Sequence, residues 1–130
     1  RAEPQTEVDD CIDLARGKPV AEAGERGEHR AYYACGAVFA MVAEGAQKRR
    51  DGGDWFDFLR PVLVANREDG VLTRAEWLDA LTRVSGDPSL GATIERMLDQ
   101  GAIDPVAEIA NLFSRTGVPH RVENGKVMLT

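Results

Sequence analysis

His29-Arg30-Ala31-Tyr32-Tyr33-Ala34-Cys35-Gly36-Ala37-Val38-Phe39-Ala40-Met41-Val42-Ala43-Glu44-Gly45-Ala46-Gln47 is the stretch on which the fold turns. It is the chain's most sustained apolar segment, with both tyrosines and one of the two cysteines. Wound at about 3.6 residues per turn, it places Tyr32, Cys35, Val38, Phe39, Val42 and Ala46 along one core-facing stripe. Tyr33, Gly36, Ala37, Ala40 and Glu44 fall on another side, where a polar-tipped ring is followed by small residues. A glycine inside a helix costs roughly 1 kcal/mol relative to alanine. Gly36 is therefore expected where a neighbour approaches the backbone closely. Two readings of Tyr33 follow. It is one half of an incidental aromatic pair on a core helix, or it points its hydroxyl out of the core toward a reaction. A phenol is protonated at neutral pH and can donate to a developing oxyanion.

Outward from this helix, Lys48-Arg49-Arg50 ends it in positive charge, where the helix dipole is negative. Asp51-Gly52-Gly53 turns the chain, and Asp54 is placed to cap a helix with Trp55, Phe58 and Leu59 on one face. Pro61 interrupts that helix, removing a hydrogen bond at a cost of about 3 kcal/mol; a kink or break is expected, with Val62–Ala65 continuing as helix. Residues 66–70 read as a turn. Thr73 and Glu76 form a capping box for a helix from Arg74 to about Ser85 that buries Trp77, Leu78, Leu81 and Val84. Asp87-Pro88 and Asp104-Pro105 each combine a cap with a proline at the first helical position. The helices they start carry Leu90, Ile94, Met97 and Leu98, then Val106, Ile109, Ala110 and Phe113. Gly86, Gly101 and Gly117 stop the last three helices. Around Asn124-Gly125 the period changes to that of a β-hairpin.

Residues 1–28 contain a short helix, Val8–Ala15, and a charged loop from Lys18 to Glu28. The fold class is mainly α: a compact domain of about five to six helices with a small C-terminal β-hairpin. The chain divides into an N-terminal helix and loop (1–28), a helical core (29–117) and a hairpin tail (118–130), all in one domain. Its 130 residues support one real core. Hydrophobic content of 43% excludes a disordered chain. A net charge of −6 argues against general nucleic-acid binding. No apolar run is long enough to span a membrane. Without an initiator Met or signal peptide, the chain is expected to begin inside a longer protein.

Few motifs carry chemistry. Asp69-Gly70 with Glu76 imitates the second half of a calcium loop, but that register puts Arg67 at a ligand position, and a turn with a helix cap explains the same residues. His29 and His120 lie far apart, with neither His-Glu-x-x-His nor Cys-x-x-Cys; His29 is expected to be solvated and His120 to be an exposed strand residue. Ser85, Ser89 and Ser114 lack a nucleophile context. No cofactor is expected in this chain. Cys11 and Cys35 fit either two buried thiols or one disulfide, and spacing does not choose between them.

Tyr32-Tyr33-Ala34-Cys35-Gly36-Ala37-Val38 resembles the Tyr-x-x-Gly motif of gluzincin metallopeptidases, in particular the glycyl-aminopeptidase-like group. Tyr33 and Gly36 match the motif, and Tyr32 sits where that group often has a second aromatic. The later order is similar too: a helix from Trp55, a Gly-x-Leu-Thr turn into the helix from Gly70 to Leu81, a helix from Met97 to a glycine turn at Gly101, and a last helix from Pro105 toward Gly117-Val118. The resemblance covers roughly residues 30–120. It implies that Tyr33 helps to stabilise a tetrahedral intermediate on zinc in a parent protein, where a zinc-activated water attacks a peptide carbonyl. The zinc ligands would lie before residue 1, Pro61 departs from the pattern, and residues 1–28 match nothing in it. The implied partners are an upstream catalytic domain and a peptide substrate, with no nucleic acid and no membrane. Such proteins are often exported, which favours a Cys11–Cys35 disulfide and an extracytoplasmic location. The competing expectation is a helical scaffold or interaction domain without chemistry.

Overall fold

The computed structural model describes residues 3–66 and 73–130. The calcium-loop-like Asp69-Gly70, residues 67–70 of the expected turn over 66–70 and the Gly70–Leu72 part of the family-like turn lie outside these residues. Within them the chain forms α1 (Pro4–Ala15), a single 3-10 turn (Val20–Glu22), α2 (His29–Asp51), α3 (Trp55–Asn66), α4 (Arg74–Ser85), α5 (Pro88–Asp99), α6 (Pro105–Thr116), β1 (His120–Glu123) and β2 (Lys126–Leu129). The architecture is mainly helical, with a small C-terminal hairpin.

Local chemistry sets most boundaries. The Thr73 hydroxyl accepts from the Glu76 backbone N–H while the Glu76 carboxylate accepts from the Thr73 N–H. Asp54 and Asp57 do the same for α3, at 3.0 and 2.9 Å. Asp87 and Asp104 cap α5 and α6, each followed by proline. The first helix begins at Pro4 rather than at Val8; a proline at the start of a helix gives up an N–H that has no partner there anyway. Pro61 lies within a single helix that continues to Asn66. In the hairpin, His120 pairs with Leu129 and Glu123 with Lys126. Asn124 and Gly125 turn it with φ of 52° and 71°, the left-handed pair that matches strand twist.

The central helix α2 carries the core. Its buried residues include Ala31, Ala34, Cys35, Val38, Val42 and Ala43, and α1 lies along this side with Val8, Cys11, Ile12 and Ala15. Small side chains on α2 let α1 approach, and a disulfide joins Cys11 to Cys35. Beyond it, Arg30 on α2 donates to Asp10 at 2.7 Å and Glu7 at 3.0 Å on α1. Phe58 of α3 is fully buried between two rings, stacked on Trp55 and edge-on to Trp77. The hairpin does not stand alone. Val127 is buried, and the Gln5 amide of α1 donates to the Val127 carbonyl while accepting from the Leu129 N–H.

Two expectations about α2 are corrected. Tyr32 is not part of the buried stripe; it is 54% exposed. Its direction is close to that of buried Phe39, but it lies about two turns nearer the start of the helix, over a groove. Gly36 is not a point of close approach, because a β-carbon there would meet nothing within 4 Å. The crowded glycine is Gly45, where a β-carbon would lie 2.6 Å from the Thr116 carbonyl oxygen and 2.9 Å from Val118 Cγ2.

Candidate functional site

Tyr33 emerges from the first half of α2 with 70% of its surface exposed. Among the described residues no hydrogen bond involves its hydroxyl. Its ring meets Tyr32 edge-to-face, centroids 6.1 Å apart. Tyr32 in turn borders a groove of about 550 Å³. One side of this groove is α2, through Tyr32, Gly36 and Ala40, which are spaced four residues apart on one helical row. Trp55, Trp77 and Leu98 bring in α3, α4 and α5. The Trp55 backbone N–H donates to the Glu44 carboxylate at 3.0 Å, tying the start of α3 to α2 beside the groove.

The motif residues thus divide. Tyr32 and Gly36 face the groove, whereas Tyr33, one residue on and turned by about 100°, is not part of its lining and touches it only through the Tyr32 ring. An exposed phenol with no partner among the described residues can donate one hydrogen bond to a ligand oxygen. Cys11 and Cys35 lie under the opposite, α1-covered side of α2. Their sulfurs are bonded to each other and are not available to a metal.

Zinc does not fit the residues present. Among the described residues no group of three or more His, Cys, Asp or Glu is placed to hold a metal. His29 is exposed at the start of α2. His120 is not simply an exposed strand residue: it is half-buried edge-on against Phe113 at 5.6 Å, with Nδ1 2.7 Å from the Val118 carbonyl oxygen. Its Nε2 lies 3.4 Å from the hydroxyl of Ser114, a long contact on the exposed end of α6.

The basic cluster does more than complement its own helix. Arg49 donates to the Arg115 carbonyl at 2.9 Å, and Arg50 to the Arg83 carbonyl at 3.1 Å. Both acceptors lie in the last turns of other helices, so three negative helix ends share one cluster of cations. No described helix is long and apolar enough to cross a membrane.

No family model matches the chain, and no curated protein and no solved structure was found to be similar to it.

Proposed function

We infer that this chain is the C-terminal helical part of a gluzincin-type, aminopeptidase-like protein, without activity by itself, that lends Tyr33 to a peptidase site completed by upstream sequence. What supports this reading is the resemblance of Tyr33-Ala34-Cys35-Gly36, and of the order of helices after it, to that family. The observation that supports the role most directly is the exposure of Tyr33, 70%, next to Tyr32, whose ring it meets edge-to-face and which lines the groove. There its hydroxyl donates to a substrate carbonyl oxygen as negative charge gathers on it. Any zinc would be held by upstream residues, since among the described residues no group is placed to hold a metal. The Cys11–Cys35 bond favours a periplasmic or secreted protein, since disulfides persist in oxidising compartments.

A second reading, a non-catalytic scaffold or interaction domain, draws on α3. Phe56, Leu63 and Val64 are each more than half exposed there, and exposed apolar area of this kind suits a protein partner. The coding sequence upstream separates the two. A His-Glu-x-x-His and aminopeptidase activity in the longer protein are expected; their joint absence would leave the scaffold reading.

A further inference from the structure

The groove beside Tyr32 has a chemistry of its own. Clefts of 300–1,000 Å³ with apolar walls and few polar groups are the common form of small-ligand sites, and this one, at about 550 Å³, is within that range. Tyr32, Phe39, Trp55 and Trp77 supply four aromatic rings, while Gly36 and Ala40 leave a nearly bare helix floor. The floor is open because no side chain fills it: a β-carbon on Gly36 would touch nothing within 4 Å. The charged residue in the described lining is Arg74. Asp99 takes its Nη1 at 2.8 and 3.0 Å, and among the described residues the guanidinium has no other partner. Its Nε and Nη2 remain as a two-pronged donor edge, the geometry that matches a carboxylate. An apolar body with one anionic end satisfies both features.

We propose that the groove takes the C-terminal residue of a short peptide, its large apolar side chain against Tyr32, Trp55 and Trp77 and its carboxylate on Arg74. The choice of a peptide rests on the peptidase reading; the apolar body and the anionic end rest on the groove.

Trp55 and Trp77 are the chain's two tryptophans, and both line the groove, so tryptophan fluorescence reports its occupancy. The probe is N-acetyl-phenylalanine, with N-acetyl-phenylalaninamide as its neutral twin. The acid should give a saturable fluorescence change, and the amide should bind at least about tenfold more weakly. Arg74→Gln should bring the acid down to the level of the amide. Gly36→Leu should remove binding of both without lowering the thermal midpoint, and Ala40→Leu offers the same block one turn on if that variant fails to fold. No saturable change up to about 10 mM, an amide equal to the acid, or wild-type binding by a folded floor variant each overturns the proposal. Probe binding with an inactive longer protein would sink the peptidase reading and leave the groove; peptidase activity lost in Tyr33→Phe, with no probe binding, would do the reverse.

Discussion

Gly45 of α2 lies against the end of α6 so closely that a β-carbon on it would sit 2.6 Å from the Thr116 carbonyl oxygen. Backbone cannot swing aside as a flexible side chain can. Gly45→Ala should therefore destabilise the fold by roughly 1–3 kcal/mol, the usual range for overpacking, although alanine is the better helix former. Gly36→Ala, nine residues earlier, meets open space and should gain up to about 1 kcal/mol from helix propensity. Denaturant midpoints of the two variants check the contrast. Equal shifts of the same sign would mean that the α2–α6 contact yields to an added methyl group.

The same pair of glycines marks what the sequence carries and what it does not. Capping residues act within a turn of themselves, so Thr73 with Glu76, Asp87-Pro88, Asp104-Pro105 and Asn124-Gly125 are readable in isolation. Helical periodicity gives the direction of each side chain on α2. It does not say where along that direction the neighbouring helices stop. Tyr32 and Phe39 point nearly alike, yet Phe39 is buried and Tyr32 stands over the groove. The burial of Ala31, Ala34 and Ala43 has no mark in the sequence either, because a small residue signals a close helix only once its partner is known. The groove itself combines four helices and leaves no local pattern. The reach of Arg49 and Arg50 to two other helix ends depends on the same packing.

Cys11 and Cys35 close a loop with a sequence separation of 24. In the chain-entropy view such a link restricts the unfolded state by about 3–4 kcal/mol. Replacing both cysteines by alanine should lower the denaturant midpoint by that order while keeping the helical signature, since Val8, Ile12 and Ala15 still pack α1 on the core. Thiol titration of the unfolded, unreduced protein should find no free thiol. Two free thiols would refute the bridge.

Asp87 links the start of α5 to the end of α6. Its carboxylate accepts from the Ser89 hydroxyl at 2.7 Å and from Arg115 Nη2 at 2.5 Å. The Ser89 hydroxyl first, and then the Arg115 guanidinium, hold its pKa below the ordinary 3.8. A carboxyl depressed in the folded state binds fewer protons there than when unfolded. Its stabilisation is thus complete above the unfolded pKa and is lost as pH falls through the folded one. Stability from this group should be flat from pH 7 to about 5 and decline from about pH 4 downward. Asp87→Asn keeps a capping side chain but has no carboxylate for Arg115. The gap between wild type and variant should narrow at low pH; parallel urea midpoints from pH 7 to pH 3 would remove Asp87 from the acid response.

Tyr33→Phe separates the chemistry of α2 from its architecture. The hydroxyl has no partner among the described residues and the side chain is mostly exposed, so the variant should keep the stability of this chain within about 0.5 kcal/mol. Tyr32→Phe should also be nearly neutral for stability, because Tyr32 stands over the groove and not in the core. The two differ in what they remove. On the peptidase reading, Tyr33→Phe in a longer, active protein deletes a donor to an oxygen that becomes more negative on the way to the transition state. Loss of one such donor lowers turnover roughly a hundred- to a thousandfold. The loss should fall on kcat, with KM little changed, since the bond strengthens only as charge develops. Tyr32→Phe keeps the ring that lines the groove and should leave kcat near wild type. Turnover of both variants on a peptide substrate decides the assignment. A Tyr33→Phe enzyme that works at the wild-type rate while Tyr32→Phe does not would transfer the donor role to the groove tyrosine, one residue back and on the face that also carries Gly36.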